Sequence, residues 1–316
     1  MSLVAVTSAS PGSGKTTVAV LLAYGLLAQG QRVLPLRAKD PAEEAGRAAA
    51  DAAVLASIEG VRAPTAGPVD PAEAARRARE AGKDGVTVVE APAAAAGVAS
   101  KGGWRFVLAV PGLSDASLEA SRALARDLGV PPPAKAVAIR VPSHRLPEAP
   151  AVLAGFDLDC LGVLPEDGLL AAPRVGELAR ALQATYLYED GDPDAVAEHL
   201  MIGSVGADPG QPYFGRHERK AAITRFDKTD VQLAALASPP LACLILTGGQ
   251  EPSPYLLDRV QSEEVPILLT RHETVAAMQV LGEIYGATRL GGPEKLERLR
   301  QLSKGLDSEK LSALLT

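Results

Sequence analysis

The segment that most constrains the fold of this 316-residue chain is 7–17, TSASPGSGKTT. The apolar run 3–6 precedes it, and an apolar helical pattern begins at Val18. A strand, a loop of small residues and a helix in that order are the context of a phosphate-binding P-loop. The alternative is a Gly/Ser-rich turn that only opens an ordinary helix. The segment lies directly after a strand that begins near residue 1, so it would belong to the first βα unit of a nucleotide-binding sheet. This position favours phosphate binding.

The P-loop interpretation gives each residue type in the segment a role. Backbone N–H groups at the positive end of the new helix surround phosphate oxygens, and Lys15 neutralises their charge. Thr16 is placed to ligate Mg²⁺. Ala9 stands where the consensus motif has its first glycine. The predicted phosphate-binding residues are Ser10, Gly12, Ser13, Gly14, Lys15, Thr16 and Thr17.

Apolar strands alternate with helical patterns after the loop. This alternation predicts an α/β fold with a doubly wound, mainly parallel sheet that is buried on both faces. The predicted strands lie at 31–36, 86–89, 106–110, 136–139 and 161–164, and the helices at 41–58, 70–82 and 114–127. The segments 95–103, 131–133 and 142–150 are predicted to be loops.

The pattern restarts beyond residue 190, after the turn-rich segment 188–194, and predicts a second, smaller α/β domain. Its expected strands are 220–224, 241–246 and 266–270, and its expected helices are 193–201, 229–237, 253–262 and 273–285. Residues 293–314 resemble two short amphipathic helices that are broken at Gly305. The expected organisation is therefore a P-loop domain at 1–190, a second domain at 194–290 and a helical tail at 291–316.

Composition indicates a cytoplasmic protein without a nucleic-acid or membrane partner. The formal net charge is −6, which disfavours polyanionic partners. We find no signal peptide and no apolar run long enough to span a bilayer. Cys160 and Cys243 lie in separate apolar runs and are expected to be reduced, buried thiols. The 4 histidines are not closely paired, which argues against a zinc centre.

Two acidic residues of the first domain are candidate metal ligands. Glu90 lies at the carboxyl end of the third predicted strand, where a doubly wound sheet opens toward its ligand. Asp51 is a single acid in an Ala-rich helical segment. The alternative for Asp51 is a residue that faces solvent, because buried unpaired acids are rare.

The second domain has polar residues and glycines after two of its strands. Asp227, Thr229 and Asp230 follow the strand 220–224, and either of the last two could cap the next helix. Thr247, Gly248 and Gly249 follow the strand 241–246, where glycine allows close backbone approach to a ligand. These six residues form a candidate site for a second ligand. The alternative is ordinary turn chemistry, which favours the same residue types.

These residues carry a resemblance to known families. The order P-loop, VLPLRAKD, Asp51, VVEAP and CLGVLPEDGLLAAP resembles the dethiobiotin synthetases, the cobyrinic acid a,c-diamide synthases and the N-terminal domain of long-type phosphotransacetylases. The resemblance implies that Thr16, Asp51 and Glu90 bind Mg²⁺ and ATP, and that the protein is a homodimer. Residues 225–236 and 246–249 resemble the two signature blocks of the DRTGG domain. That domain implies a regulatory role and a small-molecule or protein ligand.

Departures from the synthetase pattern bear on activity. Arg37, Ala38 and Lys39 replace the usual Lys-Pro, Ala91-Pro92 replaces glycines, and Arg140 replaces an asparagine that reads the base. No phosphotransacetylase catalytic domain follows, so acetyl transfer is not expected. These departures favour a sensory or regulatory ATP-binding protein with slow or no ATP turnover. The alternative is an ATP-dependent ligase of the dethiobiotin or cobyrinic acid type with a divergent substrate.

Overall fold

The computed structural model describes residues 2–39, 45–62, 67–80, 85–93, 104–188, 192–203, 213–260 and 265–315. The predicted loop 95–103 lies outside these ranges, as do the first residues of predicted helix 41–58 and the last of 70–82. The chain divides into two compact units. Unit 1 comprises Met1–Asp167 with Lys295–Thr316, and unit 2 comprises Gly168–Glu294.

Unit 1 contains a parallel six-stranded sheet, which confirms the predicted doubly wound α/β fold. The strands are β1 (Ser2–Thr7), β2 (Val33–Arg37), β3 (Val86–Glu90), β4 (Arg105–Pro111), β5 (Ala134–Val141) and β6 (Leu158–Pro165). Their order is β2-β3-β1-β4-β5-β6. The order changes direction at β1, and open α/β sheets bind ligands at the carboxyl ends of strands beside such a point.

The helices of unit 1 bury both faces of this sheet. They are α1 (Lys15–Ala28), α2 (Ala45–Ala56), α3 (Pro71–Glu80), α4 (Asp115–Asp127) and α5 (Ala149–Ala154). Every residue from Val18 to Leu26 in α1 is buried, as expected for a helix that is apolar all round. The prediction of a loop at 142–150 was wrong. A short 3₁₀ helix, Ser143–Glu148, leads directly into α5, because proline is tolerated in the first turns of helices.

Unit 2 is a smaller mixed sheet with helices on both faces. Its strands are β7 (Thr185–Tyr188), β8 (His199–Ile202), β9 (Lys220–Arg225), β10 (Leu241–Thr247) and β11 (Ile267–Leu269), in the order β7-β11-β10-β9-β8. Only β7 pairs in the antiparallel sense. The helices are α6 (Gly168–Ala171), α7 (Val175–Ala181), α8 (Thr229–Leu236), α9 (Pro254–Val260) and α10 (Thr274–Ile284). A short 3₁₀ helix spans Phe214–Arg216.

Alternate residues of the central strands form two separate apolar cores in unit 2. Ile223 and Ile245 pack in one cluster with Leu178 and Leu281, from α7 and α10. Leu244 and Leu246 pack in the other cluster, with residues of α8 and α9. This alternation follows from the two-residue period of a strand.

The predicted helix at 193–201 was wrong, because β8 occupies the end of this segment. Asp192 and Pro193 resemble a helix start, but the Asp192 carboxylate accepts a hydrogen bond from the Asp194 backbone N–H at 2.8 Å. This is an Asx turn, which uses the same residue types as a helix cap. The chain then pairs with β9 in the register His199 to Lys220.

The division between the units lies earlier than the predicted domain boundary near residue 190. Residues 168–188 belong to unit 2 because β7 pairs with β11, and Val175 and Leu178 of α7 pack in a unit 2 core. The four-residue strand β7 was too short to predict from its apolar pattern.

The predicted pair of C-terminal helices is confirmed as α11 (Pro293–Leu302) and α12 (Ser308–Ala313), separated by a 3₁₀ turn at Ser303–Gly305. From Lys295 onward, this segment is part of unit 1. The Asp307 backbone N–H donates to the Leu161 carbonyl at 2.9 Å. Lys310 Nζ contacts Asp159 Oδ1 at 2.5 Å. The segment expected to form a separate tail therefore closes one edge of the first sheet.

Candidate functional site

The predicted phosphate loop joins the carboxyl end of β1 to the first residue of α1. Gly14 is the N-cap of α1 and has a left-handed conformation, with φ 75° and ψ 27°. A Cβ atom at this position would lie 2.0 Å from Ile139 Cδ1. Glycine is therefore favoured here by the left-handed backbone, and a Cβ atom would also require the end of the Ile139 side chain to shift.

Polar side chains within the loop hold its shape. Ser8 Oγ donates to the Ser10 carbonyl at 2.8 Å, and the hydroxyls of Ser10 and Ser13 share a hydrogen bond of 2.6 Å. Lys15 Nζ donates to Ser8 Oγ at 3.4 Å, so the lysine side chain folds back along the loop. Residues 9–12 are exposed, which leaves the tip of the loop accessible to a ligand.

All three predicted metal ligands lie near one another. Thr16 Oγ1 donates to Glu90 Oε1 at 3.1 Å. Arg37 Nε lies 3.3 Å from Glu90 Oε1 and 3.8 Å from Asp51 Oδ2. Asp51 does not face solvent freely, because its side chain is only 15% exposed. Thr17 occupies the first turn of α1 beside Thr16.

Strand register explains why these groups meet. Glu90 is paired with Val6 of β1 on one side and with Arg37 of β2 on the other. Directly opposed residues of neighbouring strands present their side chains to the same face of the sheet. Arg37 was not predicted as a site residue. The signal that could have identified it is its position at the carboxyl end of β2, the rule that identified Glu90.

Burial makes Glu90 an unusual carboxylate. The residue is 1% exposed, and its Oε2 atom accepts no hydrogen bond within the part of the chain that the structure describes. Burial raises the pKa of Glu90 to about 7. Arg37, Lys15 and the Thr16 hydroxyl oppose this increase in pKa, whereas the charge of Asp51 adds to it. An unpartnered carboxylate oxygen at the carboxyl edge of such a sheet is suited to a cation.

Arg140 also contacts the predicted phosphate loop, and this contact was not predicted from the sequence. Its guanidinium Nη2 donates to the Gly12 carbonyl at 3.3 Å, and its backbone has a φ of 55°. Non-glycine residues with positive φ often mark functional positions. Arg140 therefore brings a second cation, with Lys15, to the predicted phosphate loop.

The candidate second-ligand residues of unit 2 are close together but largely engaged with the protein. Arg225 forms a two-pronged ion pair with Asp227, with both distances 2.9 Å. The hydroxyls of Thr247 and Thr274 are 2.8 Å apart. The backbone N–H groups of Gly248 and Gly249 donate to the carbonyls of His272 and Thr270, respectively. Turn structure thus accounts for these residue types.

The expected side-chain cap of the following helix was wrong. α8 begins at Thr229, and its N-cap residue, Lys228, makes no side-chain cap hydrogen bond. Thr229 Oγ1 donates instead to Ser253 Oγ at 3.3 Å, and Asp230 lies in the first turn. The buried side chain of Gln232 organises this corner by donating to the carbonyls of Arg225 and Phe226.

The described ranges contain neither a further metal cluster nor a membrane-spanning helix. These ranges contain no group of three or more His, Cys, Asp or Glu side chains that could hold a metal ion. No helix in them is both long and apolar enough to cross a bilayer. Cys160 and Cys243 are free thiols, of which only Cys243 is fully buried.

Comparison with known proteins identifies part of the chain. Residues 177–284 match the DRTGG domain family. The chain is 28% identical over 163 residues to a phosphate acetyltransferase of Nitratidesulfovibrio vulgaris, an alignment covering 48% of this chain and 23% of that protein. The chain thus spans about a quarter of the length of this relative.

Solved structures with a similar fold include two relevant groups. The CBS and DRTGG domains of a Clostridium perfringens pyrophosphatase, complexed with diadenosine tetraphosphate, are 15% identical, with 38% of this chain and 52% of that chain covered and a TM-score of 0.32. The MinC:MinD cell division complex of Aquifex aeolicus is 16% identical, with 54% and 83% covered and a TM-score of 0.40. MinD of Pyrococcus horikoshii, complexed with Mg-ADP, is 19% identical, with 54% and 83% covered and a TM-score of 0.38. Residues 177–284 of this chain are therefore a DRTGG domain, and part of the chain is similar in sequence to a phosphate acetyltransferase.

Proposed function

We propose that this protein binds ATP with Mg²⁺ at the phosphate loop and that its DRTGG domain makes it a sensory or regulatory protein of metabolism. The observation that carries the proposal is the contact between Thr16 and Glu90, 3.1 Å apart. This contact joins the start of α1 to a strand end 74 residues away. A turn that only opened a helix would not require a buried carboxylate at this point.

The donor groups fit a magnesium ion. Mg²⁺ prefers hard oxygen ligands and is commonly held by one or two carboxylates together with substrate phosphates. Thr16 Oγ1, Glu90 Oε2 and the Asp51 carboxylate would supply such oxygens. The ion would neutralise phosphate charge when bound. Lys15, Arg37 and Arg140 would add positive charge around the same phosphates.

One departure from the synthetase pattern supports a binding role rather than ligation. Arg140 occupies the position of a base-reading asparagine, and its guanidinium contacts the phosphate loop at Gly12 instead. Catalysis requires groups that stabilise the transition state selectively, whereas binding requires only the loop, the lysine and the ion. We therefore expect ATP turnover with diaminopelargonate or cobyrinate to be slow or undetectable.

Calorimetric titration of ATP into the parent chain and into Glu90→Gln tests the metal part of the proposal. We expect the substitution to weaken ATP binding by about tenfold with Mg²⁺ present, because one charged metal ligand is lost. In EDTA, the two proteins should bind ATP equally. The control is Glu309→Gln, an exposed glutamate of α12, which should leave binding unchanged.

Two outcomes of these assays would contradict the proposal. An equal loss of affinity in Mg²⁺ and in EDTA would show that Glu90 does not act through the ion. Rapid ATP turnover that depends on one small acid would instead support the ligase alternative.

A further inference from the structure

A cavity in unit 2 lies apart from the strand-end residues discussed above. Its volume is about 460 Å³, and its lining includes Glu198, His199, Tyr213, Arg216, His217 and Tyr285. This cavity is called the histidine pocket below. His199 and Lys220 are the paired first residues of β8 and β9, whereas Asp227 follows the last residue of β9. The histidine pocket therefore lies along β8, and its lining includes none of the six candidate second-ligand residues.

The histidine pocket presents several hydrogen-bond donors that the described protein does not use. The imidazole rings of His199 and His217 lie 4.2 Å apart, and their nitrogens make no hydrogen bond within the described ranges. Arg216 has no carboxylate partner among the described residues, although its guanidinium lies over the Tyr213 ring, 5.8 Å from the centroid. Stacking occupies the face of a guanidinium and leaves the N–H groups at its edge available.

The acidic residue of the pocket does not neutralise these groups. Arg219 Nε lies 3.2 Å from Glu198 Oε2, so the charge of Glu198 is already balanced. Arg216 and the ring N–H groups of the two histidines remain as donors. The pocket is thus suited to an anionic group.

The other walls are aromatic faces. The Tyr213 hydroxyl donates to the Ile202 carbonyl at 3.1 Å, and the Tyr285 hydroxyl donates to the Ala197 carbonyl at 2.9 Å. With its hydroxyl engaged, the Tyr285 ring presents mainly apolar surface, whereas the Arg216 guanidinium covers one face of the Tyr213 ring. The volume lies within the range of about 300–1,000 Å³ that is typical of small-molecule sites.

We propose that the histidine pocket binds a phosphorylated small molecule with a planar ring, of the nucleoside monophosphate class. Arg216, His199 and His217 would bind the phosphate, and the tyrosine faces would pack against the ring. This site is independent of the phosphate loop and lies outside the predicted second-ligand set. It gives the DRTGG domain a ligand site of its own.

Calorimetric titration of AMP into the full chain carrying Lys15→Ala tests this proposal, because that background weakens phosphate binding at the loop. We expect AMP to bind, and Arg216→Ala and His217→Phe each to weaken its binding by about tenfold. Phenylalanine keeps the ring and removes the donors. Both residues are exposed, so both variants should keep the parent circular dichroism spectrum.

A control variant and a second probe make the outcome decisive. Arg225→Ala removes another exposed arginine, at the strand-end set, and should leave AMP affinity unchanged. Ribose 5-phosphate, which lacks the planar ring, should bind more weakly than AMP. The proposal is overturned if AMP does not bind in the Lys15→Ala background, if Arg225→Ala alone weakens its binding, or if ribose 5-phosphate binds as tightly. Weak ATP binding at the loop, by contrast, would affect only the function proposed above.

Discussion

Gly14 is the residue at which the phosphate loop tolerates least change. We expect Gly14→Ala to destabilise unit 1 by roughly 1–3 kcal/mol, because the left-handed backbone costs about 1–2 kcal/mol and the buried end of the Ile139 side chain must also shift. The overlap is the 2.0 Å approach to Ile139. Urea unfolding measures the effect.

Gly30 provides a matched control for this prediction. Its φ is 76°, but a Cβ atom there would meet nothing within 4 Å. Gly30→Ala should therefore lower the free energy of unfolding only by the cost of the left-handed backbone, about 1 kcal/mol. Ile139→Ala removes the overlap. In that background, the loss of unfolding free energy caused by Gly14→Ala should be closer to the loss caused by Gly30→Ala. Equal losses for Gly14→Ala and Gly30→Ala would show that the overlap contributes nothing.

Glu90 gives the metal-free protein a pH-dependent stability. Its folded-state pKa of about 7 is above the ordinary value of 4.5, so the folded protein holds the proton more tightly than the unfolded chain. The free energy of unfolding should fall as pH rises from about 4.5 to about 7, and then level off. Glu90→Gln should remove this slope and be more stable than the parent at pH 8, by on the order of 1–3 kcal/mol.

Chemical denaturation in EDTA at pH 5, 6, 7 and 8 measures this slope. Glu309→Gln, at an exposed position, is the control and should keep the parent profile. A Glu90→Gln profile parallel to the parent's would show that Glu90 does not titrate in this range.

The positions of single residues were predictable where a motif or a strand end fixes them. The loop pattern placed Gly14, Lys15 and Thr16 at the start of α1, and the apolar run placed Glu90 at the end of β3. Their roles in binding phosphate and metal stay predictions. The contacts of Arg37 and Arg140 were not predictable. The contact of Arg37 depends on the register between β2 and β3, and that of Arg140 on a left-handed backbone at the end of β5. Neither is encoded by local sequence.

At the scale of elements, the C-terminal helices are integral to unit 1. Leu306 is 8% exposed, and its side chain packs so closely on Gly162 that a Cβ there would lie 2.6 Å from Leu306 Cδ2. We expect Leu306→Ala to destabilise unit 1 by about 2–4 kcal/mol, the typical cost of a buried Leu→Ala change.

Denaturant unfolding of Leu306→Ala and of Glu309→Ala tests this role. Glu309 is exposed on the adjacent helix, so its replacement should change the free energy of unfolding by less than about 0.5 kcal/mol. If the two variants have the same stability as the parent, residues 295–315 do not stabilise unit 1.

Element prediction succeeded where apolar patterns were long and failed where they were short. The buried strands of unit 1 have continuous apolar runs, and α1 shows nine buried residues in succession, from Val18 to Leu26. β7 and β8 have four residues each, and turn residues precede β8. Asp192 could cap a helix or form an Asx turn, and only tertiary pairing with β9 decides between them.

At the scale of the whole molecule, a regulatory role requires that the two domains influence each other. Such coupling is reciprocal. If ATP changes the affinity of a second ligand by some factor, that ligand must change the affinity of ATP by the same factor. We expect ATP with Mg²⁺ to change amide hydrogen exchange within residues 227–249 of the DRTGG domain. Lys15→Ala should abolish the change. Identical exchange with and without ATP in the parent would argue against regulation through this segment.

The central claim is that the loop between β1 and α1 binds nucleotide phosphate, and calorimetric titration of ATP with Mg²⁺ into Lys15→Ala tests it most directly. Loss of the lysine charge should abolish ATP binding at the loop. Circular dichroism should remain that of the parent, because Lys15 is the first residue of α1 and precedes its buried stretch Val18–Leu26. Lys304→Ala, at an exposed position in the same unit, should bind ATP like the parent. Equal ATP affinity in Lys15→Ala and the parent, with unchanged circular dichroism, would contradict the account.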